Sequence, residues 1–469
     1  MSHVRRSLAC ALIALGVLAT SAGPALAHAT LLGSTPSVNG RGVSEEASTV
    51  TLRFSEPVQI LNRSDVSIVD GSGRKIDKGT ARTAPGDHGL VIVPMRGPLL
   101  PDSYTVRYRV VSADSHAAVQ AFVFGVGRAR LRDPILTGAG GLSDTGPTAV
   151  AARVAELVAL GLLLGLLAFR ALVWGPAVEK ARGVDAAERE AALRDGQRLF
   201  WRAFWAIAVL AGVAETTVLA AKSAVVFHTG LAGAVLHPAT AYHLVAATRF
   251  GDLLGWRGGA LSALVAVAFV TWTAESAGAP SAGRRGPFAL MALFAVAALT
   301  LLADQGHASQ APLAPLSIAA DATHLGAAAI WIGGLPCLIA VLLRAPKALP
   351  EGGRALASAT LSRFSRVALW SVVVISVTGL ARMTGELSAP AQQWSTPYGR
   401  DLMLKASLLL PMLLLGRRNR RMVASFAGGL TPSAARLRTV ARDVRMELMI
   451  AGGIIAIAAL LVAQVPGRG

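Results

Sequence analysis

The sequence predicts a protein in two parts: an exported all-β sandwich of Greek-key type, followed by an all-α polytopic membrane domain with about eight transmembrane helices. Three observations predict it. The chain of 469 residues is 53% hydrophobic with a mean hydropathy of +0.53, too apolar for an ordinary soluble protein. Residues 1–27 have the form of a secretory signal, with Arg5 and Arg6, an apolar run from Leu8 to Ala19, and a small-residue cleavage site Ala25-Leu26-Ala27. Near residue 127 the pattern then changes once, from short β-type runs to apolar segments long enough to cross a bilayer.

Residues 28–127 hold the β-type runs Thr49 to Phe54, Asp65 to Asp70, Gly89 to Met95, Tyr104 to Ser112 and Ala118 to Val126, bounded by turn residues. Apolar and polar residues alternate from Tyr104 to Val110, as on a strand with one face buried. A Gly-, Asp- and Pro-containing linker, 128–147, leads into the membrane domain, 148–469. Its apolar segments are 148–174, 199–221, 256–276, 286–303, 316–343, 363–384, 399–416 and 446–464. With the β domain exported, the connections at 175–198, 277–285, 344–362 and 417–445 face the cytoplasm. They carry eighteen Lys and Arg, against two (Lys222, Arg249) in the external connections, so the positive-inside rule supports the count independently. Trp174, Trp201, Trp256 and Trp272 fall near span ends, as interfacial anchors do. Residues 223–255 have room for a re-entrant element.

The net charge of +18 is explained by this topology, since the arginines fall between apolar runs rather than along one polar face, which argues against nucleic acid as a partner. Cys10 leaves with the signal and Cys337 lies in an apolar run, so the exported part folds without disulfides.

Signal cleavage makes His28 the first residue, and an N-terminal histidine offers a metal its α-amine and its imidazole in one chelate. Of the nine histidines His3 leaves with the signal, and the other eight fall on the outer side: His28, His88 and His116 in the exported domain, His228, His237, His243 and His307 in external connections, and His324 near the outer end of the fifth span. In Ser112-Ala113-Asp114-Ser115-His116 a carboxylate and an imidazole stand two residues apart, on the same face of an extended strand. With His28 they make a nitrogen and oxygen donor set of the kind that suits Cu(II), and the exported domain has no cysteine and one methionine, Met95, to favour Cu(I).

Residues His28-Ala29-Thr30-Leu31, Phe54-Ser55-Glu56-Pro57-Val58 and Val111 to His116 leading into Phe122-Val123-Phe124 resemble the CopC copper-binding proteins, over nearly all of 28–127. The resemblance implies Cu(II) held by the amine and imidazole of His28, by Asp114 and by His116; Ala117 and Gln120 replace the more common Pro and Gly nearby. The stretch Asp321 to Leu335, with Gln305-Gly306-His307-Ala308, looks like the CopD family, to which CopC domains are often fused. That implies movement of copper to or across the cytoplasmic membrane, in uptake, homeostasis or resistance.

Several residues are candidates to carry copper onward. Asp321 and His324, at i and i+3, share a helix face, so the carboxylate is placed to orient the imidazole, and His307 belongs to the same outer mouth. Met383 and Met403 offer soft sulfur for Cu(I), and Glu215 is an ionisable group within a span. The expected partners are copper ions, the lipid bilayer and other copper-handling proteins. Two other readings are sequestration of copper without transport, and a membrane-anchored copper redox enzyme. Against the enzyme, the exported domain is small and poor in aromatics for a substrate face, and Asp114 would fill a coordination position that oxygen chemistry needs. Haem-based electron transfer across the bilayer is disfavoured because the inner half has no histidine.

Overall fold

The computed structural model describes residues 29–61, 65–112, 117–135, 147–227, 230–277, 285–310, 313–349, 352–386, 391–424 and 433–463. The signal segment and His28 lie outside the described residues, as do Asp114, His116 and His228.

Eight strands form the first part: β1 (Leu31–Thr35), β2 (Thr49–Phe54), β3 (Val58–Gln59), β4 (Val66–Val69), β5 (Arg82–Ala84), β6 (Asp87–Pro94), β7 (Ser103–Ser112) and β8 (Ala117–Gly125). One antiparallel sheet has the order β1-β2-β6-β5. In the other, β8 lies along one edge of β7, and β3 and β4 pair with its other edge. Leu52, Phe54, Val91 and Val93 of the first sheet meet Val106, Tyr108, Val110, Phe122 and Phe124 of the second in one core. The ring of Tyr108 stands edge-on to Phe54, with centroids 5.4 Å apart. Tyr104 donates its hydroxyl to the Leu100 carbonyl at 2.9 Å.

Strands β2 and β6 alternate between buried and more exposed residues, but β7, where the sequence shows the alternation of apolar and polar residues, is buried along almost its whole length. Its outer face is covered by the chain that follows the sandwich. Arg132 N–H donates to Ser103 Oγ at 3.1 Å and Ile135 N–H to Thr105 Oγ1 at 3.2 Å, so the first part of the predicted linker is strapped across the sheet. The polar residues of β7 point at partners rather than at water.

The second part is helical: α1 (Pro147–Lys180), α2 (Ala186–Phe227), the short α3 (Leu231–Leu236) and α4 (Pro238–Ala247), α5 (Arg249–Ser276), α6 (Arg285–Asp304), α7 (Ala314–Ala348), α8 (Gly353–Glu386), the single turn α9 (Gln392–Ser395), α10 (Pro397–Ala424) and α11 (Ala434–Ala463). Among the described residues seven helices, α1, α2, α5, α6, α7, α8 and α11, are long and apolar enough to cross a membrane. The segment expected as an eighth span is the 28-residue helix α10. Lys405 at one end and Arg417 at the other confine its uncharged run to Ala406–Gly416, and it packs against α8 and α11. The region 223–255 holds α3 and α4, which are too short to span.

Helix α7 is central, packed on α1, α6, α8 and α11. Glycines permit its approach to α1: a Cβ on Gly165 would stand 2.5 Å from the Gly333 backbone and 2.6 Å from the Ala329 carbonyl oxygen. At the end of the bundle remote from the β domain, a π-helical turn of α1, Phe169–Trp174, carries Arg170. Its guanidinium lies 4.1 Å from the Phe288 ring centroid and 3.5 Å from Glu275. Trp201 is a correction to the sequence reading: it is buried and donates its indole N–H to Glu275 at 2.7 Å instead of anchoring at the interface. Trp256 is exposed, as an anchor would be.

Candidate functional site

The two chain segments adjoining the predicted ligands converge on a third, Ser55–Val58, at one end of the sandwich. Thr30, two residues after His28, exchanges hydrogen bonds with Ser55: its N–H donates to Ser55 Oγ at 3.0 Å, and Ser55 N–H donates to its carbonyl at 2.9 Å. Three residues on from Ser55, Val58 pairs with Ser112, the last described residue before Asp114 and His116. Glu56 sits between these two junctions and is only 7% exposed. A buried carboxylate at the meeting point of the segments leading to His28 and to Asp114 is a functional candidate that sequence reasoning missed. The signal was a lone acidic residue inside Phe54-Ser55-Glu56-Pro57-Val58, quoted above only as a motif. His88 is exposed on β6, with Nδ1 3.5 Å from Thr83 Oγ1.

The same end of the sandwich is seated on the helices. Arg109 of β7 donates from Nη1 to the carbonyls of Val225 and Val226, at 3.1 and 3.3 Å. Those carbonyls belong to the last turn of α2, where helix carbonyls have no partner of their own and the helix dipole favours a cation. Burial lowers the Arg109 pKa and Asp65 opposes the shift. Beside it Val111 packs among Ala152 of α1, Val218, Ala221 and Val226 of α2, Leu244 of α4, and Phe250 and Leu254 of α5.

Beneath this apolar seam lies a buried ionic cluster. Arg257, fully buried, donates from Nε to both Glu215 oxygens at 2.9 and 3.0 Å and from Nη2 to Glu215 Oε2 at 2.7 Å; Nη2 also meets Glu156 Oε1 at 2.5 Å. Its Nη1 donates to Gln305 Oε1 at 2.9 Å, and Arg153 pairs with the other Glu156 oxygen at 2.6 Å. On α1, α2 and α5 alike, the seam residue and the ionic residue are three or four positions apart: Ala152 and Glu156, Val218 and Glu215, Leu254 and Arg257. The cluster is thus one turn, about 5 Å, deeper than the seam. Glu215 has its partner here, on a helix 42 residues further along the chain. His307 begins the 3₁₀ turn His307–Gln310, two residues past Gln305; its side chain lies outside the described residues.

The other candidates lie apart from this cluster, between α7 and α8. His324 Nδ1 is 2.9 Å from Thr378 Oγ1, and the Thr378 hydroxyl donates to the Val374 carbonyl at 2.7 Å. With its proton so committed, the hydroxyl accepts from Nδ1–H, which leaves the lone pair of the neutral imidazole on Nε2, the nitrogen a metal would use. Asp321 is ion-paired with Arg382 Nη1 at 2.5 Å, one turn along α8 from Thr378. Both expected partners are therefore tied to α8. Met383, next in sequence, packs beside Tyr398 and Leu461, and Met403 is half-buried. Toward the far end of the bundle, a cavity of about 260 Å³ is lined in part by the pair Asn419 and Glu447, 2.9 Å apart. Cys337 packs in the apolar core, as predicted. No group of three or more His, Cys, Asp or Glu side chains is gathered for a metal among the described residues, which do not include His28, Asp114 and His116.

Fold and site together define a multi-pass membrane protein with a β-sandwich domain seated at one end of its helical bundle. Its domain content places it more closely. Residues 31–127 match the CopC domain, 143–314 the N-terminal domain of copper resistance protein D-like proteins, and 358–461 copper resistance protein D. The chain therefore joins CopC and CopD domains, which are copper-resistance domains and not those of an enzyme family. Copper transport protein CutJ of Bacillus subtilis (strain 168) is 26% identical over 400 residues, covering 83% of this chain and 67% of that protein. Protein YobA of Escherichia coli (strain K12) is 34% identical over 128 residues, 27% of this chain and 99% of that protein. Among solved structures, CopC from Methylosinus trichosporium OB3b is similar at 24% identity with a TM-score of 0.19, over 22% of this chain and 98% of that one. PcoC, a methionine-rich copper resistance protein from Escherichia coli, is similar at 25% identity with a TM-score of 0.18, over 21% and 98%.

Proposed function

We propose that the chain captures Cu(II) on the outer face of the cytoplasmic membrane, at a brace made by the α-amine and imidazole of His28 with Asp114 and His116, and passes copper to the membrane domain for uptake, homeostasis or resistance. Copper is the cargo. The observation that carries this reading is the convergence at one end of the sandwich of the segments leading to His28 and to Asp114, with Glu56 buried between them. The donor set is hard to borderline, nitrogen and oxygen, as Cu(II) prefers. Glu56 adds a carboxylate oxygen beside it. Because the ligand-bearing end is also the end seated on the helices, captured copper starts next to the membrane domain. Onward movement is assigned to His324 with Thr378 and Asp321, to His307, to Met383 and Met403, and to Glu215 within the Arg257 cluster.

The test is the full-length protein processed to begin at His28, compared with one carrying an extra residue ahead of it. The extra residue removes the amine chelate, so Cu(II) affinity falls by roughly 100-fold or more, about 2.8 kcal/mol, and the EPR spectrum changes. Equal affinities and equal spectra overturn the brace. Replacing His324 and measuring cellular copper tests delivery: copper accumulation at the wild-type level removes His324 from the route.

A further inference from the structure

We infer that Arg109 is a docking latch: it holds the copper-capturing end of the sandwich on the last turn of α2, and delivery of copper into the membrane domain requires that docking, while capture does not. The inference rests on the proposed function for the identity of the cargo, but its geometry stands independently.

Four observations carry it. Arg109 is only 8% exposed, so its charge needs partners, and it finds them across the seam in two carbonyls that helix geometry leaves without acceptors' usual donors. Its neighbour on the outer face of β7, Arg107, bonds to Ser67 Oγ within the sandwich at 3.2 Å, whereas Arg109 bonds to the carbonyls of α2. Val111, two residues on and on the same face of the strand, fills an apolar seam contributed by α1, α2, α4 and α5. Finally, covalent geometry limits the distance from this seam to the ligands: Asp114 is three residues past Val111, so their Cα atoms are within about 11 Å. The latch thus fixes the capture end over the point where the ionic cluster lies one turn below.

The seam acts on transfer through position. Undocked, the sandwich keeps its ligands, because the strands that present them pair within the sandwich. What it loses is a fixed distance to the helices.

The test uses the full-length protein and two variants that attack the seam from opposite sides. Arg109→Gln removes the cation, and Val226→Asn puts a polar amide into the apolar side contributed by α2 while leaving the β domain unchanged. Copper capture is read by Cu(II) titration and EPR of purified protein, delivery by copper accumulation in cells, and docking by pulsed EPR. The pulsed experiment measures the distance between bound Cu(II) and a nitroxide at Ala239→Cys, an exposed position at the start of α4, with Cys337→Ala to remove the other thiol of the processed chain. Both variants are expected to bind Cu(II) within twofold of wild type with the same spectrum, to broaden the distance distribution, and to lose accumulation by roughly tenfold or more. Arg109→Lys, which keeps a cation able to reach the carbonyls, restores part of the accumulation. Accumulation within twofold of wild type alongside a broadened distribution overturns the coupling, and an unbroadened distribution in both variants overturns the latch. If the wild-type protein itself does not raise cellular copper, the delivery reading fails, and the distance measurement still decides whether Arg109 holds the domains together.

Discussion

Replacing Arg257 by Met tests whether the ionic cluster is a structural element of the membrane domain. The guanidinium is fully buried and makes three contacts with Glu215 at 2.7 to 3.0 Å, one with Glu156 and one with Gln305. Arg257→Met leaves Glu215 as a buried carboxylate that has lost its counter-ion, whereas Glu156 keeps Arg153 at 2.6 Å. Breaking one side of a buried pair costs about 3–5 kcal/mol, because the remaining charge is left desolvated. That corresponds to a fall of about 4–7 °C in apparent Tm for a domain of this size. The double variant Glu215→Met, Arg257→Met removes both partners and fills their space with apolar atoms. It is expected to recover most of the loss, to within about 2 kcal/mol of wild type, through a favourable coupling between the two sites. The assay is thermal unfolding of the full-length protein in nanodiscs, followed by tryptophan fluorescence. An Arg257→Met protein as stable as wild type, or a double variant as unstable as the two single losses added together, would refute the reasoning.

Gly165→Leu forces α1 away from α7, since even a Cβ meets the Gly333 backbone at 2.5 Å; overpacking here costs about 1–3 kcal/mol or more and appears as a lower unfolding temperature. Thr378→Val deletes the acceptor that sets the His324 tautomer, so copper accumulation falls while Cu(II) binding at the outer site is unchanged; accumulation equal to wild type shows that the tautomer does not matter. Tyr108 is buried, which pushes its phenol up to about 12 from an ordinary 10.0. A phenol raised in this way favours the folded state below pH 10 and loses that contribution as pH rises toward about 12, so the sandwich of the wild-type protein, followed by circular dichroism, should destabilise over that window and Tyr108→Phe should not share this component.

Much of the fold was legible because both halves carry strong periodicities. The five β-type runs correspond to β2, β4, β6, β7 and β8, each within two residues at its ends, while β1, β3 and β5 were missed. β3 has two residues and β5 three, too few for alternation to show. Alternation in β7 is legible in the sequence as a pattern, but what its polar face meets, residues 132–135 and α2, is not, because periodicity gives sidedness and not what covers a side. Arg257 was lost inside a predicted span, where a single charge did not break an apolar average. Its partners Glu156, Glu215 and Gln305 come from α1, α2 and the turn after α6, a coincidence that only packing creates. Asp321 and His324 were correctly placed on one helix, yet the contacts that define them, Arg382 and Thr378, sit 61 and 54 residues away in sequence on α8. Glu56 was visible from the start as a carboxylate amid apolar neighbours, and needed the Thr30 and Ser112 junctions to acquire meaning.

The strapping of residues 131–135 across β7 has a consequence for how the sandwich docks. Ile135 is bonded to the sandwich and Pro147 opens α1, and twelve residues of chain hold their Cα atoms within about 43 Å of each other. Within that reach the sandwich meets α2 at an effective concentration of about millimolar, so an opened latch closes again without a search through solution. Docking is therefore intramolecular, and its occupancy does not depend on how many copies of the chain the cell makes.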